Sequence, residues 1–160
     1  MATTPDWVRG MLKDGIRGTG SHVDVVKAVS GISLHDATAR PEGFKHSIWQ
    51  NLWHMIYWQR VVFDRLADPK REYPDTKLGL DDFPQGAEPT SQEDWDALVG
   101  DFADGVAKCE RMVMEEDLDA PSGWEGLNLG YALHMLGLHA GYHTGQIVQL
   151  RMVLGIWPPT

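Results

Sequence analysis

Residues 136–147 read LGLHAGYHTGQI, and their spacing decides both the fold and the candidate chemistry of this 160-residue chain. Leucine and isoleucine recur here at helical intervals, as on the buried face of an α-helix. His139 and His143 are four residues apart, so both imidazoles lie on one side of that helix, about one turn from each other. Burying charged imidazole in a core is costly. The pair therefore needs a partner, and a metal ion is the leading candidate.

The rest of this helix supports the interpretation of His139 and His143 as a metal-binding pair. A seven-residue apolar repeat places His143 in a row with leucines, and His139 in the adjoining inward row with Gln146. This spacing lets two nitrogens reach one ion at roughly 2.0 to 2.1 Å. An HxxxH pair is a weak pattern by itself, and two neutral, hydrogen-bonded core histidines are the alternative. Gln146 favours a polar site because it extends the polar run along an otherwise apolar seam.

A third ligand is expected from a facing helix, since two histidines on one helix hold a divalent ion loosely. His54 lies in NLWHMIYW, in the middle of an apolar stretch, where a polar side chain needs a partner. His46, two turns earlier, is the competing third ligand, and its place at a helix start also suits a cap or a pocket rim. His134 projects to another side of the last helix and is not expected to bind.

Apolar residues recur at helical spacing almost throughout, and no run has the alternation of a β-hairpin. The sequence therefore predicts an all-α four-helix bundle formed by one domain over residues 1–160. The first helix is expected to be broken at residues 18–21, with Ser21 as the cap of its continuation. The pair Ser47 and Gln50 predicts a capping box at the start of a central helix.

A long loop is expected between the second and third long helices, because residues 69–90 contain four prolines. A loop of this length in a compact domain is usually functional or mobile. It is expected either to cover the metal or to extend across a dimer interface with its apolar side chains, Tyr73, Leu78, Leu80 and Phe83.

The charge balance restricts the possible partners. The chain has 14 Lys plus Arg against 23 Asp plus Glu, a net charge of −9, and no basic cluster, so a nucleic-acid partner is not expected. Even the most apolar stretches contain too many polar residues for a membrane span of about 20 residues. The first residues lack the features of a signal peptide, and the single Cys109 allows no internal disulfide. We expect a cytoplasmic protein that does not bind membranes.

Two segments resemble the DinB/YfiT-like superfamily of metal-dependent four-helix bundles. They are RPEGFKHSIWQNLWHMIYWQ at residues 40–59 and HMLGLHAGYHTGQIVQLRMVLG at residues 134–155. The most specific part is the HxGQI pattern at residues 143–147. The resemblance implies a divalent ion, most often zinc or nickel, bound by three histidines that match His54, His139 and His143. It also implies an up-down-down-up helix order, a homodimer, and an ion at one end of the bundle with an open coordination position.

The resemblance further implies an activity, because family members include thiol transferases that use low-molecular-weight thiols, and related isomerases and hydrolases. Three imidazoles leave a metal with an open site, as in catalytic zinc. HAGYH lacks the glutamate of HExxH metalloproteases, which argues against peptidase chemistry. The sequence predicts a metal-dependent transferase or hydrolase acting on a small molecule. The alternative is a non-catalytic metal-binding or dimerisation bundle.

Several further side chains are candidates for the lining of such a site. Gln50, one turn before His54, and Gln146 are available to orient reacting groups, or are helix packing partners. The central helix is also rich in aromatic residues, which are interpreted chiefly as core, with a pocket lining as the alternative. These aromatic residues are Trp49, Trp53, Tyr57 and Trp58.

Overall fold

The computed structural model of the chain describes residues 4–71, 83–84 and 88–159. Within these ranges the regular secondary structure is entirely helical, which confirms the prediction of an all-α fold. The six helices are α1 (Asp6–Arg17), α2 (Val25–Val29), α3 (Leu34–Thr38), α4 (Ile48–Ala67), α5 (Gln92–Glu115) and α6 (Leu129–Val153).

The first helix is broken, as predicted, and the break has a local cause. Gly18 ends α1 with a φ of 82°, a left-handed conformation that favours glycine. A Cβ atom at Gly18 would also collide with the ring of His22. The chain resumes a helical conformation after Asp24, whose carboxylate accepts hydrogen bonds from two backbone N–H groups of α2. The prediction of Ser21 as this cap is wrong, because α2 begins directly after Asp24.

Local hydrogen bonds fix where the long helices begin. The Ser47 hydroxyl accepts a hydrogen bond from the Gln50 N–H, and Gln50 Oε1 accepts one from the Ser47 N–H at 3.0 Å. This confirms the predicted capping box of α4. Ser91 and Asp94 form the same arrangement at the start of α5, and the Asn128 side chain caps α6. The caps of α4 and α6 set the first residues of the two helices that carry the three histidines predicted as ligands.

Each of α1 and α4 packs against both α5 and α6. The direction of α4 relative to α5 follows from two contacts. Gln59 packs directly against Gly105, and the Lys108 ammonium lies 4.0 Å from the centre of the Phe63 ring. Residue numbers increase together in these pairs, so α4 and α5 run parallel.

Contacts between α4 and α6 advance in opposite directions. Asn51 contacts His143, whereas Trp58, two turns further along α4, contacts His139. These two helices are therefore antiparallel, and this places histidines from both on facing surfaces.

Contacts between α1 and α5 complete the helix order. The Arg9 guanidinium donates a hydrogen bond to the Val113 carbonyl, and that of Arg17, two turns later, reaches the Glu110 carboxylate. The two helices are therefore antiparallel, so α1 is parallel to α6. The order is up-down-down-up, as the resemblance implied.

The hydrophobic core takes side chains from all six helices. Its largest fully buried members include Trp95, Phe102, Leu52, Leu133 and Ile147. In the part of the chain that the structure describes, no helix is both long and apolar enough to cross a membrane.

A buried cation ties α2 to the end of α6. Arg151 is 2% exposed, and its Nη1 donates hydrogen bonds to the carbonyls of Ala28 and Ser30. Its Nε and Nη2 donate to the Ile156 carbonyl. A buried charge is tolerated only when it is hydrogen-bonded, and carbonyl groups meet that need here. The side chain was not predicted to be buried.

Candidate metal centre

Three histidines from two helices converge between α4 and α6. His54 comes from α4, and His139 and His143 come from α6. One nitrogen of each ring lies within 4.8 Å of the corresponding nitrogens of the other two, and the ring centres are 4.5 to 4.8 Å apart. These are the three histidines that the sequence predicts as ligands.

His54 and His139 face each other directly. Their Nε2 atoms are 2.8 Å apart, a hydrogen-bond distance, so one nitrogen carries a proton and the other accepts it. His54 and His143 are only 3% and 4% exposed, whereas His139 is partly exposed. Small molecules therefore reach the cluster most directly at His139.

The orientation of His143 is fixed by two amide side chains. Asn51 Nδ2 donates a hydrogen bond to the Ser47 carbonyl at 2.9 Å, which turns Asn51 Oδ1 toward His143 Nδ1 at 3.1 Å. Gln146 Oε1 lies 2.9 Å from the same nitrogen. Because both neighbours are oxygen acceptors, His143 Nδ1 carries the proton, which leaves Nε2 as the ring's acceptor nitrogen, on the side of the cluster.

Asn51 was not predicted as a site residue. The available signal was its position three residues before His54, which places both side chains on one face of α4. Gln146, which was named, is three residues after His143 and orients that ring. Gln50 belongs to the predicted capping box of α4, and its predicted place in a pocket stays a prediction.

Burial keeps His139 neutral. Loss of solvent, followed by the nearby imidazoles of His143 and His54, lowers the pKa of His139 to about 3. At neutral pH this ring is uncharged, the protonation state that metal ligation requires.

Phe83 covers one side of the cluster. Its ring stacks on His54 at 4.2 Å and on His46 at 3.7 Å, with the ring planes nearly parallel in both pairs. Two rings cannot stack on the same face of Phe83 at these distances, so Phe83 lies between the two imidazoles. His46, the competing third ligand, is thus separated from the cluster. The other apolar side chains named for this loop, Tyr73, Leu78 and Leu80, lie outside the described residues.

The aromatic residues of α4 divide between core and site. Trp49 is buried in the core, and Trp53 and Tyr57 are half-buried and stack on each other at 5.5 Å. Trp58 lies beside His139, with ring centres 6.3 Å apart. The core interpretation therefore holds for Trp49, and the pocket alternative for Trp58.

The donor set fits a divalent ion. An ion with tetrahedral coordination, at about 2.0 to 2.1 Å from each nitrogen, requires those nitrogens to be roughly 3.3 Å apart. The observed separations bracket this value, because His54 Nε2 and His139 Nε2 are 2.8 Å apart and all three nitrogens lie within 4.8 Å of one another. A cation would take the place of the proton shared by His54 and His139. Among the described residues, no carboxylate or thiol joins the three imidazoles.

The fold and the site define an all-α protein with a three-histidine cluster between antiparallel helices. The family model of the DinB superfamily matches residues 20–147, a range that contains all three histidines. The chain belongs to the DinB superfamily. No curated protein and no solved structure matches it.

The low pKa of His139 predicts a pH-dependent stability of the metal-free protein. Folding lowers this pKa from 6.5 to about 3, so between these values the unfolded chain binds a proton that the folded chain does not. Titration of His139 therefore does not change the free energy of unfolding above about pH 6.5. Below that pH, the free energy of unfolding decreases as the pH falls toward 3. Urea unfolding of chelator-treated protein should therefore give a lower free energy of unfolding at pH 5 than at pH 7.

The matched variants are His139→Gln and His134→Gln, the latter changing an exposed histidine of the same helix. The decrease from pH 7 to pH 5 should shrink in His139→Gln and persist in His134→Gln. An unchanged decrease in His139→Gln would contradict the assignment.

Proposed function

We propose that the chain binds one divalent cation through His54, His139 and His143, and that it is a metal-dependent transferase or hydrolase acting on a small molecule. The observation that carries the proposal is the convergence of three imidazole nitrogens from two helices within 4.8 Å. Membership of the DinB superfamily, in which a three-histidine metal site is expected, supports it.

The ligand count favours a catalytic ion over a structural one. Structural zinc sites are closed by four protein ligands, whereas catalytic sites have three and keep a position open. The cluster contains three histidines, and among the described residues no fourth ligand joins them. The partial exposure of His139 leaves access to the cluster on that side. A non-catalytic metal-binding or dimerisation bundle, the alternative, would not need such access.

Three imidazole ligands suit zinc or nickel, and we propose these ions as the cofactor. An ion held in this way lowers the pKa of a water or a thiol that approaches it. The chain itself contributes orientation, since Asn51 and Gln146 hold His143 in one tautomer. It also excludes water from one side of the cluster, where Phe83 stacks on His54.

Thiol transfer fits the site better than hydrolysis. Hydrolysis requires a proton acceptor beside the attacking water, and in the described part of the chain no carboxylate joins the cluster. A low-molecular-weight thiol needs less help, because its thiolate is the nucleophile. We therefore propose such a thiol as the co-substrate and a small electrophile as the substrate, with hydrolysis as the second possibility.

Metal content tests the proposal directly. The protein, loaded with zinc or nickel and dialysed, should contain one ion per chain by elemental analysis. His139→Ala and His143→Ala should lose it because each removes one of only three ligands. His134→Ala and His46→Ala should keep it, since neither ring belongs to the cluster. Wild-type protein without a stoichiometric ion, or full metal content in His139→Ala, would contradict the proposal.

Asn51 provides a second test, because it acts on the metal only through His143. Asn51→Leu removes a hydrogen-bond acceptor of His143 Nδ1. It should weaken zinc binding by about 10- to 100-fold, the range typical when a residue that hydrogen-bonds to a metal ligand is lost. Asn51→Asp retains an acceptor and should bind zinc nearly as well as the wild type. Competition with a chromophoric chelator measures both affinities. Equal affinity in Asn51→Leu and the wild type would show that Asn51 does not orient the ligand.

A homodimer is also part of the proposal, and an exposed row on α6 supports it. Tyr131, Met135, Leu138 and Tyr142 are all exposed and follow one another at intervals of four, three and four residues. This is the spacing of a coiled-coil seam, which a second copy of the same helix can pack against.

Light scattering tests the dimer. Wild-type protein should have twice the chain mass, and Leu138→Glu should be monomeric because it places a charge in the seam. Met114→Glu, at an equally exposed position of α5, should leave the mass unchanged. A monomeric wild type would exclude this interface.

A further inference from the structure

An apolar cavity lies beside the three histidines. Its volume is about 330 Å³, and eight of its nine lining residues are aromatic or aliphatic. Trp58 and Val62 contribute from α4, Tyr131 and Ala132 from α6, and Trp124 from the segment between α5 and α6. Among the residues that the structure describes, no charged side chain lines it.

The cavity is continuous with the candidate metal centre through one residue. His139 is its ninth lining residue, and the Nε2 atom of the same ring contacts His54 Nε2 at 2.8 Å. Phe83, which stacks on His54, is not one of the residues that line the cavity. A molecule that reaches the histidines from His139 therefore has this cavity next to its reacting end.

The walls of the cavity are held in place before any ligand binds. The Arg65 guanidinium lies 5.0 Å from the centre of the Trp124 ring. The neighbouring Gly123 approaches α4 so closely that a Cβ atom would lie 2.5 Å from the Arg65 carbonyl oxygen. Both contacts fix the segment that carries Trp124 against α4. Preformed, mostly apolar concavities with few polar groups are typical of small-molecule sites.

We infer that this cavity binds the apolar part of the substrate, an uncharged aromatic or alkyl group, while the reacting end of the same molecule lies at His139. This inference rests on the proposed function and adds the substrate class to it. The volume is near the lower limit of ligand pockets, about 300 Å³, so it suits a group of one or two rings. A charged group is excluded, because it would lose its hydration without gaining a partner.

The first experiment uses metal-free protein, so that its result does not depend on the ion. Chelator-treated protein is titrated with 6-propionyl-2-(dimethylamino)naphthalene, an uncharged fluorophore with two fused rings, and fluorescence enhancement gives the dissociation constant. Ala132→Leu, at a buried lining position, should raise that constant at least about 10-fold because it fills the cavity. Ala97→Leu, the same substitution at an exposed position of α5, should leave it within about twofold. Val62→Phe fills the cavity from the α4 side and is the test variant to use if Ala132→Leu does not fold.

The second experiment tests whether one molecule can bind the ion and occupy the cavity at the same time. Zinc-loaded protein is titrated with acetohydroxamic acid and with 2-naphthohydroxamic acid, which share a metal-binding head and differ in the apolar group. The naphthyl compound should bind at least about 100-fold more tightly, because it buries two rings. That ratio should fall toward one in Ala132→Leu and persist in Ala97→Leu, while elemental analysis shows full zinc content in both.

The outcomes separate the two proposals. Equal affinity for both hydroxamic acids in zinc-loaded protein would overturn the substrate class and leave the metal centre intact. Fluorophore binding by a protein that holds no zinc or nickel even after loading and dialysis would instead overturn the metal-dependent function, and with it the assignment of the cavity to a substrate. A fluorophore that binds only to monomeric Leu138→Glu would show that a second copy of the chain covers the cavity, which also overturns the inference.

Discussion

Three imidazoles face one another across antiparallel helices, and the function of the molecule depends on what satisfies their nitrogens. Two of the rings are almost fully buried, and desolvation lowers the pKa of the third, His139, to about 3. Protonation of His139 is therefore disfavoured, and a shared proton or a cation can satisfy the facing nitrogens. The antiparallel packing of α4 and α6, with helix starts fixed by caps at Ser47 and Asn128, brings these rings together.

The sequence predicted the features that depend on local periodicity. The all-α fold, the capping box of α4 and the break after Gly18 follow from residues close together in the chain. The i, i+4 pair His139 and His143 and a polar His54 in an apolar helix are also visible in the sequence, whereas the choice of His54 over His46 as the third predicted ligand rested on the resemblance to the DinB/YfiT-like superfamily. Ser21 was wrongly chosen as a cap because the sequence offers several polar residues in that turn, and only the backbone path selects Asp24.

The features that were missed arise from contacts distant in sequence. Asn51 orients a ring 92 residues away, and its role becomes visible only when α4 and α6 are side by side. Arg151 has the pattern of an exposed cation in the last turn of a helix, yet it is buried and donates hydrogen bonds to the carbonyls of Ala28 and Ser30. Phe83 likewise lies between two imidazoles that are 37 and 29 residues away from it in the chain. No local pattern contains this information.

The surroundings of the cluster are asymmetric, with an aromatic ring over His54 and an apolar cavity beside His139. The central claim is that a divalent ion occupies the point where the three nitrogens converge. Anomalous diffraction from zinc-loaded crystals, recorded above and below the zinc absorption edge, tests it most directly. The account predicts one peak at about 2.0 to 2.1 Å from a nitrogen of each of His54, His139 and His143. Rings that remain hydrogen-bonded to each other, with no anomalous peak between them, would contradict it.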